Sequence, residues 1–151
     1  MKKENDFRFP EDFVWGAACS AFQLEGASYL EGKTANVFEQ AFDEPVRRRK
    51  FHDNRSPHVG ADFYHRYPED IALFKELGLG SFRFSIAWSR ICPDVSGKPN
   101  QAGIDFYNHV IDELIAQGIT PMFDLFHSDL PYWVIEEGGL CDEKFVDWFT
   151  H

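Results

Sequence analysis

Apolar and polar positions along this chain change period several times, and each change marks out an element. Phe13 to Ala18 is a short apolar run that reads as a buried strand, and the long polar stretch from Asn36 to Val59 reads as a loop packed over one end of the domain. Asp62 to Leu77 carries Ile71, Phe74 and Leu77 on one helical stripe, with Pro68 in the first turn and Gly78 as the stop. Ser81 to Ile86 alternates instead, so Phe82, Phe84 and Ile86 face one side of a strand and Arg83 and Ser85 the other. An arginine with no visible inward partner is thereby aimed at the interior of a sheet. Gln101 to Gln117 returns to helical spacing through Ile104, Tyr107, Ile111, Leu114 and Ile115, and Gly118 ends it. Ile119 to Phe126 is a third strand. His127-Ser128-Asp129 sits at its carboxyl end, with Asp129 placed to cap a helix opened by Pro131. Asp142 to His151 opens one more amphipathic helix on Phe145, Val146 and Phe149.

Three strand and helix units in succession predict parallel strands joined by crossovers, the grammar of an α/β fold. A doubly wound sheet and a barrel share that grammar. Three parallel strands leave two unpaired edges, and the last helix opens without a stop signal, so the expectation is a portion of a larger domain.

Composition narrows the function. The 151 residues are 44% hydrophobic and 17% aromatic, an aromatic load that needs a large interior or a ligand cleft. Acidic residues outnumber basic ones, 25 to 15, and the resulting field repels nucleic acid and anionic membrane surfaces. The one basic run, Arg47 to Lys50, is flanked by Asp43, Glu44 and Asp53 and reads as a solvated loop. Met1 to Asp12 lacks the apolar core of a secretory signal, and no later run approaches the roughly 18 apolar residues of a membrane helix, so a cytoplasmic location is expected. Cys19, Cys92 and Cys141 are odd in number and far apart, which suits reduced thiols, and Asn54-Arg55-Ser56 reads as a chance glycosylation pattern.

Several chemistries find no motif. Gly78-Leu79-Gly80 lies between a helix and a strand, the reverse of a dinucleotide fingerprint, and neither a phosphate loop nor a nucleophile elbow occurs. His52, His58, His65, His109, His127 and His151 show no spacing suited to a metal, and neither a metal nor an organic cofactor is expected. His127 stands apart because it falls at a strand end.

Four ordered segments carry a resemblance. Phe9-Pro10 through Gly26, with Phe13 to Ala18 and Ser20 to Gly26 at its centre, resembles the amino-terminal signature of glycoside hydrolase family 1. Asp62 to Tyr67 running into Glu69-Asp70-Ile71, Phe82 to Ile91, and His127 to Pro131 with Gly138-Gly139 are similar to the family's next motifs, in the same order. The resemblance implies a (β/α)8 barrel with its site at the carboxyl ends of the strands. The chain is then expected to hold the first three or so strand and helix units, residues 1 to 151 forming the amino-terminal part of one glycosidase domain.

The resemblance also implies roles. Gln23 binds sugar hydroxyls, to which an amide offers donor and acceptor together. His127 binds a hydroxyl of the sugar in the cleaved subsite. Arg83 stands beside the catalytic nucleophile, where a fixed positive charge keeps a carboxylate ionised and oriented. Ser128 departs from the family, which usually has an aromatic there. Trp15, Trp88 and Trp133 read as packing residues. Retaining hydrolysis requires two carboxyl groups, and the family's motifs for both lie outside residues 1 to 151. Glu25 reads as part of the first loop and Asp124 as a buried strand residue needing a partner, so neither they nor Asp129 form a usable pair.

The expected function is hydrolysis of O-glycosyl bonds in β-glucosides or 6-phospho-β-glucosides, with this stretch supplying sugar-binding residues and inactive by itself. Its partners are a small-molecule sugar and the remainder of the barrel, on the same or a separate chain. The alternative is a catalytically inactive, truncated paralogue that binds sugars or completes a partner's barrel.

Overall fold

The computed structural model describes residues 8–49 and 51–150. Met1 to Phe7 of the amino-terminal segment, Lys50 of the basic run and His151 lie outside the described residues. The order of elements is β1 (Gly16–Cys19), α1 (Ala21–Leu24), α2 (Val37–Asp43), α3 (Pro45–Arg48), α4 (Phe63–Glu76), β2 (Ser81–Ser85), α5 (Trp88–Ile91), α6 (Gln101–Ala116), β3 (Thr120–Asp124), α7 (Tyr132–Glu136) and α8 (Lys144–Thr150). The strands form one parallel sheet in the order β1-β2-β3. Each strand pairs with the one before it in sequence, and β1 and β3 are edges.

Strand alternation sorts the side chains. Ala17, Phe82 and Pro121 share one row of the register, and Cys19, Phe84 and Phe123 another on the same face. Against that face α4 and α6 build the main core, with Phe63, Ile71, Phe106, Tyr107, Val110, Leu114 and Ile119 around Phe82 and Phe84. Burial of these side chains supplies the main drive for the fold, on the order of 2 kcal/mol for each large one. Ser81, Arg83, Ser85, Met122 and Asp124 occupy the opposite face.

Several expectations shift. The run Phe13 to Ala18 is exposed rather than buried, and only its last three residues are strand, in the edge strand β1. Trp15 is 54% exposed and sits in a cluster with Phe9 and Phe13, whereas Trp88 and Trp133 are packing residues as expected. Pro68 lies in the second turn of α4, not the first, since the helix starts at Phe63 and the chain forgoes one backbone bond to Tyr64. The buried stripes are also rotated. Leu77 and Ile115 are solvent-exposed, and Phe106 and Val110 take the inward places on α6.

The polar stretch from Asn36 to Val59 is not a plain loop. Asn36 caps α2, accepting from the Phe38 and Glu39 amides at 2.9 Å, while the Glu39 carboxylate returns to the Asn36 amide at 2.9 Å. Lys33 pairs with Glu39 at 2.6 Å, both side chains buried. Arg47 and Arg48 of the basic run lie in α3, where Arg47 pairs with Glu44 and Arg48 donates to the Phe42 carbonyl. Asn36 bridges Pro131, and the Val37 amide donates to the Leu130 carbonyl at 2.9 Å, so α2 is tied to the segment after β3.

Candidate active-site face

The carboxyl ends of the three strands collect the residues singled out above. Ser20 follows β1 directly, and its hydroxyl donates to the Gln23 side-chain oxygen at 3.0 Å. The Ala21 amide donates to the Ser85 hydroxyl at 2.7 Å, which fastens the start of α1 to the end of β2. Gln23 is thus presented, exposed, from a short helix anchored at both strand ends.

Arg83 has a partner. Its guanidinium forks onto Asp124 of the neighbouring strand, with Nε 3.2 Å from Oδ1 and Nη2 on Oδ2. This corrects the expectation of an arginine without an inward partner and supplies the partner that Asp124 was expected to need. The diagonal register that places Ser85 opposite Asp124 and Arg83 opposite Met122 makes the contact possible, and Asp124 is only partly buried. Oδ2 of Asp124 also lies 3.4 Å from Nδ1 of His127. Arg83, Asp124 and His127 therefore form one row across the ends of β2 and β3, whereas Gln23 is held separately by Ser20.

The other carboxylates are committed elsewhere. Glu25 is buried and takes the Arg90 Nε at 3.0 Å, and the Tyr107 hydroxyl donates to its other oxygen. Burial pushes the Glu25 carboxyl upward, and the Arg90 guanidinium offsets part of that push. Arg90 also stacks over the Tyr64 ring at 4.3 Å. Asp129 does not cap the next helix: α7 begins at Tyr132, with Pro131 as its flanking residue and no side-chain cap. Asp129 is instead 1% exposed, and Oδ2 has no hydrogen-bond partner among the described residues. Desolvation raises its carboxyl above the ordinary aspartate value, with two backbone amides and Lys33 pulling the other way.

Glu25 and Asp124 are paired and Asp129 is hidden, so these three do not form a free carboxyl pair. Among the described residues no group of three His, Cys, Asp or Glu converges to hold a metal ion, and no helix is long and apolar enough to cross a membrane. Cys19, Cys92 and Cys141 are free thiols. The Glu25, Arg90 and Tyr107 network was missed from sequence, although Arg90 lies within one of the four motifs.

Comparison with known proteins bears on this arrangement. The family model described as Glycosyl hydrolase family 1 matches residues 5–151. The 6-phospho-beta-glucosidase GmuD of Bacillus subtilis is 46% identical over 147 residues, 97% of this chain and 31% of the relative. Beta-glucosidase A of Acetivibrio thermocellus is 42% identical over 94% of this chain and 31% of its own length. Among solved structures, the family 1 β-glucosidase from Thermotoga maritima superposes with a TM-score of 0.87 at 37% identity, covering 94% of this chain and 31% of that one. The chain thus spans about a third of the length of the relatives it matches. Its sheet is the opening three strand and helix units of a (β/α)8 barrel. On a family model matched over nearly its whole length, the chain belongs to glycosyl hydrolase family 1.

Proposed function

We propose that residues 1 to 151 are the amino-terminal part of a single barrel domain that hydrolyses β-glucosides or 6-phospho-β-glucosides with retention of configuration. In this reading Gln23 and His127 bind sugar hydroxyls, and Arg83 steadies the nucleophilic carboxylate. The observation that carries it is the row of Arg83, Asp124 and His127 at the carboxyl ends of β2 and β3, the face on which barrel enzymes place their chemistry. Identities of 46% to a 6-phospho-β-glucosidase and 42% to a β-glucosidase support this pair of substrate classes.

Retaining hydrolysis needs a nucleophile and an acid/base about 5 to 5.5 Å apart. Later barrel strands supply both, so these residues alone bind and position without cleaving. Three free and separated thiols support a reducing, cytoplasmic setting.

The test is complementation. The chain is co-expressed with the carboxyl-terminal two thirds of the Bacillus subtilis relative, and hydrolysis of nitrophenyl β-glucoside and its 6-phosphate is followed. The reading requires background rates from the chain alone and turnover from the assembled pair. Turnover by the isolated chain, or an assembled pair indifferent to Gln23→Ala and His127→Ala, overturns it.

A further inference from the structure

We infer that Asp124 is a positioning residue that selects the tautomer of His127, so that the imidazole turns an accepting Nε2 toward the sugar. The inference rests on the role proposed for His127 and adds the direction of its hydrogen bond. Asp124 is the last residue of β3, and His127 follows it by three positions on the turn beyond the strand. The aspartate carboxylate is gripped on both oxygens by the Arg83 fork, Nε on Oδ1 at 3.2 Å and Nη2 on Oδ2. A fork of this kind fixes the plane of the carboxylate as well as its place.

Oδ2, already facing Nη2, is also the oxygen 3.4 Å from Nδ1 of His127. A carboxylate held by a guanidinium has only acceptors to offer, so the imidazole nitrogen facing it carries the proton. Nδ1–H donates to Asp124, and Nε2 keeps its lone pair. A neutral imidazole left to water prefers the other arrangement, with the proton on Nε2, and would donate to a hydroxyl rather than accept from one. Asp124 thus decides the sense of the His127 contact, and Arg83 acts on it through Asp124. The His127 side chain is 42% exposed, so the ring is not sealed from a ligand.

Long-range proton–nitrogen spectra of the chain with isotope-labelled histidine read the tautomer directly, at a pH high enough to leave the ring neutral. The His127 signal is identified by its loss in His127→Gln. The wild-type chain is expected to show His127 mainly protonated on Nδ1, Asp124→Ala to move it to the Nε2-protonated form, and Asp124→Glu to restore the Nδ1 form at least in part. A wild-type His127 protonated on Nε2, or a tautomer unmoved in Asp124→Ala, overturns the inference. Should Asp124→Ala fail to fold, the wild-type spectrum decides alone. No sugar and no turnover enter this measurement, so its failure leaves the proposed hydrolase standing, and failed complementation leaves the tautomer result standing.

Discussion

Arg90 donates through Nε to Oε2 of Glu25 at 3.0 Å, with both side chains almost wholly withdrawn from water. The pair joins the segment after β1 to the helix after β2, and so fixes the distance between two of the three strand ends that carry the site. Tyr107 completes it from α6, donating to Glu25 while its oxygen accepts from the Ala87 amide at 2.7 Å. Removing one partner leaves an uncompensated buried charge. Arg90→Ala is therefore expected to cost about 3–5 kcal/mol in urea unfolding. The double replacement Glu25→Leu with Arg90→Met should cost less than Arg90→Ala alone, because no charge is then left behind. A double variant as damaged as the single one would show that cavity effects dominate.

Gly103 lets α6 press against α5. A Cβ built there falls 2.4 Å from the Arg90 carbonyl oxygen, a backbone atom that cannot swing aside. In an unobstructed helix Gly→Ala gains about 1 kcal/mol. Here Gly103→Ala is expected to destabilise by roughly 1–3 kcal/mol, in the range of overpacking. Thermal melts of the two proteins check the sign.

Asp129 supplies a pH dependence. Its carboxyl is raised by desolvation above the unfolded aspartate value, so between those two values the folded chain binds more protons than the unfolded one. Its contribution to stability is best below the unfolded value and declines as pH rises through the folded one. Asp129→Asn removes that decline: the variant should be the more stable at neutral pH and lose its advantage on acidification. Urea midpoints measured from mildly acidic to neutral pH decide it, and an advantage independent of pH would contradict the account.

Gln23 and His127 are exposed, and neither belongs to the core clusters. Gln23→Ala and His127→Ala should leave the unfolding midpoint of the chain within about 0.5 kcal/mol. In the complemented enzyme each should lower kcat/KM by roughly 100-fold or more, as expected for contacts that strengthen in the transition state. Equal losses of stability and activity would make these residues structural.

The chain's periodicity made its main elements legible. Alternation at Phe82, Arg83 and Phe84 and the helical stripes around Ile71 and Leu114 report burial, and burial follows the fold. Partners across strands leave no such trace: nothing in the spacing of Arg83 and Asp124, 41 positions apart, announces that a diagonal register brings them together. Burial of Asp129 was hidden for a similar reason, since a carboxylate before Pro131 reads locally as a cap, whereas the segment around it is held by residues distant in sequence, Asn36 and Val37 among them. One omission did have a signal. Asn36 followed three residues later by Glu39 is a capping-box pattern, and it marks the start of α2 inside a stretch whose polar composition suggested a loop.

The most direct test of the account is the intact mass of the protein in its native cell, detected with an antibody raised to residues 1 to 151. The account predicts a species of about three times 17.5 kDa, the size implied by relatives of which this chain covers 31%, with the catalytic carboxylates on the same polypeptide. A species of 17.5 kDa, with no partner chain bound, would contradict it.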